Sequence, residues 1–199
     1  MLIIGITGSL GTGKTTVTKI FKRLGAIVLD ADEIAHRLIE PNMPAWKRIK
    51  GYFGDGILKK DGKINRKALA KEVFHETRRL DKLCGIIHPL VYKEVEKKVR
   101  QIKRSNAEAI VVLDAPLLLE SGGRSKVDKL VVVTARRDVQ IKRAMGKFGL
   151  TRKEALQRIK AQMPLSEKEK AADFVIDNKG SLSATEKQAV EIWKRLVRE

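Results

Sequence analysis

Short, continuous apolar runs alternate along the chain with stretches where apolar positions recur every three to four residues. The runs at 2–6, 26–29, 110–113 and 130–133 are too short for helices and too uniformly apolar for half-exposed strands. They predict buried parallel strands, with a weaker fifth at 174–176. Between them the periodicity turns helical: over 15–24 after the first strand, over 44–53 behind a Pro and Asn break, and over 66–74 with Asn65 as N-cap. A helix over 89–104 places Leu90 or Val91, Val95, and Val99 or Ile102 on one buried stripe. Capping-box spacing at Thr151 with Glu154, Ser166 with Glu169 and Ser183 with Glu186 marks three further helix starts. The last helix is expected to bury Val190, Trp193 and Val197.

Strand followed by helix, repeated, predicts an α/β fold around a parallel sheet. About eighty residues between the second and third strands are helix-rich and much longer than a simple crossover, so an inserted helical subdomain is expected at about 41–104. A smaller insertion is expected at about 136–172, which leaves a core of about 1–40, 105–135 and 173–199.

At 199 residues and 43% hydrophobic content, the chain can fill one full-sized core. Its formal charge of +18 is unevenly spread. Residues 41–110 carry 18 basic against 8 acidic groups and residues 136–199 carry 16 against 9, whereas 1–40 and 111–135 are close to neutral. Lysine-rich surface helices produce such a surplus, and so does a nucleic-acid partner, but 5% aromatic residues leave few platforms for stacking bases. The one cysteine, Cys84, cannot form an internal disulfide. The apolar start has no basic flank or small-residue cleavage site, and no apolar run approaches the roughly 18 residues of a membrane span. A soluble protein in a reducing cytoplasm, with neither membrane nor nucleic acid as partner, is the expectation.

Gly8-Ser9-Leu10-Gly11-Thr12-Gly13-Lys14-Thr15 fits G-x-x-x-x-G-K-[ST], directly after a predicted strand and opening a predicted helix. Glycines let successive N–H groups turn toward phosphate oxygens, and the following helix adds the positive end of its dipole. In such a loop Lys14 bridges the β- and γ-phosphates of a nucleotide and the Thr15 hydroxyl ligates magnesium. Guanine reading would require Asn-Lys-x-Asp, and Asn178-Lys179-Gly180-Ser181 lacks the aspartate. A nucleic-acid motor would need a larger chain, so a small-molecule kinase fits best. Phosphoryl transfer to a hydroxyl also needs a carboxylate to orient the attacking oxygen and accept its proton. Asp30-Ala31-Asp32-Glu33 follows the second strand, at the sheet edge where ligands bind. Asp32 is the candidate base, Asp30 and Glu33 compete with it, and Asp30 could equally cap the next helix. Asp114, ending the third strand, matches a Walker-B aspartate that holds magnesium.

Together with the P-loop and Thr16, the segments Leu29-Asp30-Ala31-Asp32-Glu33-Ile34-Ala35, Glu40-Pro41-Asn42-Met43-Pro44-Ala45, His88-Pro89-Leu90-Val91, Asp114-Ala115-Pro116-Leu117-Leu118-Leu119-Glu120, Ala161-Gln162-Met163-Pro164 and Ala172-Asp173-Phe174-Val175-Ile176-Asp177-Asn178 resemble the dephospho-CoA kinase family over nearly the whole chain. The resemblance implies transfer of the ATP γ-phosphate to the ribose 3′-hydroxyl of dephospho-CoA, the last step of coenzyme A synthesis. It also implies a P-loop kinase core with a helical substrate domain and a small helical lid. Carried over by position, Asp32 matches the family's base, Lys14 and Thr15 its phosphate and magnesium contacts, and His88 the histidine of its His-Pro segment. Arg143 matches a lid arginine, and Asn178 with Gly180 lies in the segment used near the adenine. Leu119 stands where phenylalanine is common and His36 where arginine often follows Ile-Ala; neither touches the phosphate chemistry.

Overall fold

The computed structural model describes residues 1–74 and 76–198. The apolar runs form the strands β1 (Leu2–Thr7), β2 (Ile27–Asp30), β3 (Ile110–Asp114), β4 (Lys129–Thr134) and β5 (Phe174–Asp177) of one sheet, in the order β2-β3-β1-β4-β5. The pairs β1–β3, β1–β4 and β4–β5 are parallel. Uninterrupted β-branched and leucine runs suit central strands covered on both faces, and Ile4, Ile6, Val111, Val112 and residues 130–133 have essentially no exposed surface. The second strand starts one residue later than expected, because the Ala26 N–H still bonds to the Phe21 carbonyl in the turn out of the preceding helix.

Helices α1 (Lys14–Arg23) and α9 (Leu182–Leu196) pack together against this sheet, with Phe21 and Trp193 edge to face at 5.8 Å. The buried stripe of α9 is Thr185, Ala189, Ile192 and Leu196, and Val197 is 57% exposed. Large apolar residues pointed to a stripe through Val190, Trp193 and Val197. The observed face is turned by about one residue, because small Thr185 and Ala189 occupy the buried positions. Helices α6 (Arg137–Phe148), α7 (Arg152–Lys160) and α8 (Leu165–Lys170) belong to the same compact unit, which comprises residues 1–29 and the described residues from 105 onward.

A second unit, residues 30–104, holds α2 (Ala31–Leu38), α3 (Pro44–Phe53), α4 (Arg66–Phe74) and α5 (Thr77–Ser105, whose last residue falls to the first unit). Ile34, Leu38, Ala45, Ile49, Ile57, Ile64, Leu69 and Val73 are buried in it. An isolated antiparallel bridge between Leu58 and Ile64 ties the connection from α3 to α4, and Trp46 Nε1 donates to the Gly62 carbonyl at 2.9 Å. Pro89 does not start a helix but lies inside α5. An interior proline forfeits a hydrogen bond and crowds the carbonyl one turn back, at a cost of about 3 kcal/mol. Ile86 before the proline and Val91 and Val95 after it are all buried, so apolar packing holds the chain on both sides of Pro89.

The Thr151–Glu154 capping box and the Asn65 cap form as expected. The other two start signals are displaced: Ser181, not Ser183, caps α9, and α8 begins after Pro164 with Ser166 already inside it. Among the described residues no helix is long and apolar enough to cross a membrane.

Candidate functional site

The register that sets Ile6 beside Asp114 brings the carboxyl ends of β1 and β3 together, and the glycine-rich loop leaves the sheet there. Within it the Ser9 carbonyl accepts from the Thr12 N–H at 3.2 Å and from the buried Thr12 hydroxyl at 2.9 Å. Gly11 and Gly13 have φ of 78° and 89°, a region costly for side chains. A Cβ on Gly11 would run into the backbone of Gln140 on α6, and one on Gly13 into the side-chain amide of Asn178. Both glycines therefore answer to a backbone conformation and to a close neighbour. Among the described residues the N–H groups of Gly11, Gly13, Lys14 and Thr15 donate to no protein acceptor, as a phosphate cradle at a helix N-terminus requires. Thr16 lies one residue further into α1, its N–H on the Gly13 carbonyl at 2.9 Å.

The Lys14 ammonium pairs with the Asp114 carboxylate, and the Thr18 hydroxyl donates to the other Asp114 oxygen at 2.8 Å. Asp114 is 5% exposed, so its charge depends on these two partners. The residues proposed for magnesium suit that ion. The exposed Thr15 hydroxyl and the Asp114 carboxylate are hard oxygen donors, and magnesium commonly takes one or two protein oxygens beside substrate phosphates and water.

Several residues that hold this loop were not legible as such. Asn178 is buried, its Nδ2 donating to the Thr12 carbonyl at 2.7 Å and its Oδ1 accepting from Thr185 at 2.8 Å, so it ties the loop to β5 and α9. Arg143 reaches the same Thr12 carbonyl at a long 3.4 Å. Gln162 accepts the Leu10 N–H at 2.8 Å, while the Leu10 side chain packs against a small cluster of Ile141, Ala144 and Ala155 from α6 and α7. Gly180 is exposed in the turn before α9.

Lys168 has no exposed surface although it belongs to the highly charged helix Leu-Ser-Glu-Lys-Glu-Lys. Its ammonium binds Glu120 at 2.7 Å and the Pro116 carbonyl at 3.0 Å, and that carbonyl also accepts from Thr7 at 3.0 Å. Glu120 accepts the Met163 N–H as well, at 3.1 Å. The segment after β3 and the segment around α8 are thus bolted together through one lysine. Lys168→Met leaves Glu120 without its cation. It is expected to destabilise the chain by about 3 kcal/mol, at the low end for breaking a buried pair because Glu120 is partly exposed. Urea unfolding checks this, and an unchanged midpoint would refute it.

In the second unit, Asp30 ends β2 and caps α2 by accepting the Glu33 N–H at 3.0 Å, and the Glu33 carboxylate holds Arg37 at 2.9 Å. Asp32 is exposed in the first turn of that helix. His88 lies in the middle of α5, half-buried, and burial lowers its pKa. Cys84, one turn earlier, has its thiol pKa raised by burial and by Asp81, which keeps it protonated and poorly nucleophilic. A depressed His88 pKa means that the unfolded chain binds the proton more readily. The stability contributed by neutral His88 is present above the histidine range and is lost as pH falls from about 7 to 5. The urea midpoint should fall over that window, and His88→Gln should flatten the fall; equal pH profiles would remove His88 from this role.

The family model described as dephospho-CoA kinase matches residues 2–184. A dephospho-CoA kinase of Carboxydothermus hydrogenoformans is 45% identical over 96% of this chain and 94% of its own length. Among solved structures, TT1252 from Thermus thermophilus superposes with a TM-score of 0.86 at 33% identity, covering 98% of this chain and 97% of that one. The dephospho-CoA kinase from Campylobacter jejuni superposes with a TM-score of 0.72 at 27% identity, with the same coverage.

Proposed function

The chain belongs to the dephospho-CoA kinase family, and from that premise we propose that it transfers the γ-phosphoryl group of ATP to the ribose 3′-hydroxyl of dephospho-CoA, giving coenzyme A and ADP. The observation that carries this reading is the strand-end pairing of Lys14 with Asp114 beside a glycine loop in which, among the described residues, the N–H groups of Gly11, Gly13, Lys14 and Thr15 have no protein acceptor. The loop amides and Lys14 hold the β- and γ-phosphates, and Lys14 offsets the charge that develops on the transferring group. Thr15 and Asp114 would hold magnesium, which would supply neutralisation of the phosphate oxygens. Arg143 adds a cation from the lid, the role assigned to residues 136–172, and its support is the contact between α6 and the loop.

Residues 30–104 take the acceptor, with His88 among the residues that shape its site. Asp32 orients the 3′-hydroxyl and accepts its proton as the oxygen attacks phosphorus and the bond to the ADP oxygen breaks. The basic surplus on residues 41–110 and 136–199 suits two ligands that are both phosphate-rich. ATP, magnesium and dephospho-CoA incubated with the protein should yield ADP and 3′-phosphorylated product in equal amounts. ADP no higher than without acceptor would overturn the reading.

A further inference from the structure

A pocket of about 340 Å³ opens within residues 30–104, beside the C-terminal end of α2 and the start of α4. Lys59, Lys63, Arg66 and Lys67 line it, against the one carboxylate of Glu40. All four cations are exposed, and among the described residues none has an ion-pair partner, so their charge is not consumed by the fold. In the first turn of α4 the Lys67 and Ala68 N–H groups are already taken by Asn65 Oδ1, so anion binding falls mainly to the side chains. Ile39 and buried Ile64 add an apolar wall. A free inorganic anion has no use for two isoleucines. A phosphate ester continuing into an aliphatic arm uses both halves.

Helix α2 connects this pocket to Asp32. Positions 32, 36 and 39 share one face of the helix, opposite buried Ile34 and Leu38, and Asp32 and His36 on it are exposed. At about 1.5 Å of rise per residue, Ile39 lies roughly 10 Å along the axis from Asp32. In dephospho-CoA the ribose 3′-hydroxyl is separated from the farther phosphorus of the 5′-diphosphate by a somewhat shorter reach, which the long cationic side chains of the pocket span, and the geminal methyl groups of the pantoyl arm follow one methylene beyond it. We propose that this pocket binds that part of the acceptor, the four cations taking the diphosphate and Ile39 with Ile64 taking the geminal methyls. The assignment rests on the reading of Asp32 as the residue that meets the 3′-hydroxyl.

The test compares wild type, Lys63→Gln/Arg66→Gln, and a control that removes the same charge from exposed positions of α5, Lys93→Gln/Lys97→Gln. The pocket variant should raise KM for dephospho-CoA about tenfold or more, with kcat and KM for ATP within about twofold, and its acceptor KM should depend less steeply on salt. The control should leave all three unchanged. A dephospho-CoA KM within about twofold of wild type, or the same rise in the control, overturns the proposal. Calorimetric titration of dephospho-CoA and of inorganic pyrophosphate separates the other outcomes. Pyrophosphate binding that the variant abolishes while dephospho-CoA binding persists would make this a free-anion site and overturn the acceptor assignment. Should wild type transfer no phosphate to dephospho-CoA, the kinase reading fails on its own. The pocket then stands if the variant weakens dephospho-CoA binding and falls if it does not.

Discussion

Asp32→Asn is expected to lower kcat for dephospho-CoA by a factor of about 10²–10⁴, the usual contribution of a positioned general base, while ATP binding measured by calorimetry changes little. Asparagine keeps the shape of the side chain and can still orient a hydroxyl, but it cannot take the proton. Loss of the charge from the first turn of α2 costs at most about 1 kcal/mol of helix-dipole interaction, so the folded state survives and the defect is chemical. The neighbouring carboxylates are the internal controls. Asp30→Asn retains a good N-cap for the Glu33 N–H, and Glu33→Gln removes an exposed pair with Arg37 worth no more than about 1 kcal/mol. Both should keep turnover within about threefold of wild type. If either collapses kcat while Asp32→Asn does not, the base has been assigned to the wrong carboxylate.

The three neighbouring carboxylates mark a boundary between what sequence carries and what it does not. The five strands, the glycine loop and the strand-end aspartate were legible, because apolar runs and the loop's fixed spacing are local signals. The phase of α9 was not. Its burial is decided by small Thr185 and Ala189, and no periodicity of large side chains reports them. Proline rules also placed Pro89 at a helix start. Local rules weigh one lost hydrogen bond, whereas the continuity of α5 is decided by apolar contacts on both sides of it. The supports of the loop were hidden for a related reason. Gln162 lies 152 residues from Leu10 and Lys168 sits among charges that look fully solvated, so only tertiary structure shows that one accepts a loop N–H and the other is buried on Glu120. Asn178 was placed near the nucleotide by resemblance, and in the fold its amide fixes the Thr12 carbonyl and forbids a side chain at position 13.

Lys14→Met should be costly in two separable ways. For catalysis it removes the cation aligned with the transferring phosphoryl group, and loss of one such preorganised partner lowers kcat by about 10²–10³, with weaker ATP binding in addition. For folding it strips Asp114 of its counter-charge. Asp114 is 5% exposed and would keep only the Thr18 hydroxyl, so the variant should lose about 3 kcal/mol, a large share of the 5–15 kcal/mol typical of a folded chain. The double variant Lys14→Met/Asp114→Asn removes both charges. A neutral amide at the end of β3 can still accept from Thr18 and no longer needs a cation, so most of the lost stability should return while turnover stays as low as in the single variant or lower. If urea unfolding finds Lys14→Met as stable as wild type, the buried pair contributes nothing to the fold. If the double variant recovers turnover, Lys14 does not act on the phosphoryl group. On the proposed mechanism, bound ATP would draw the Lys14 ammonium toward its phosphates and free a carboxylate oxygen of Asp114 at the same moment. The pair keeps a buried negative charge matched, and on this mechanism stability and activity would depend on the same lysine through different partners.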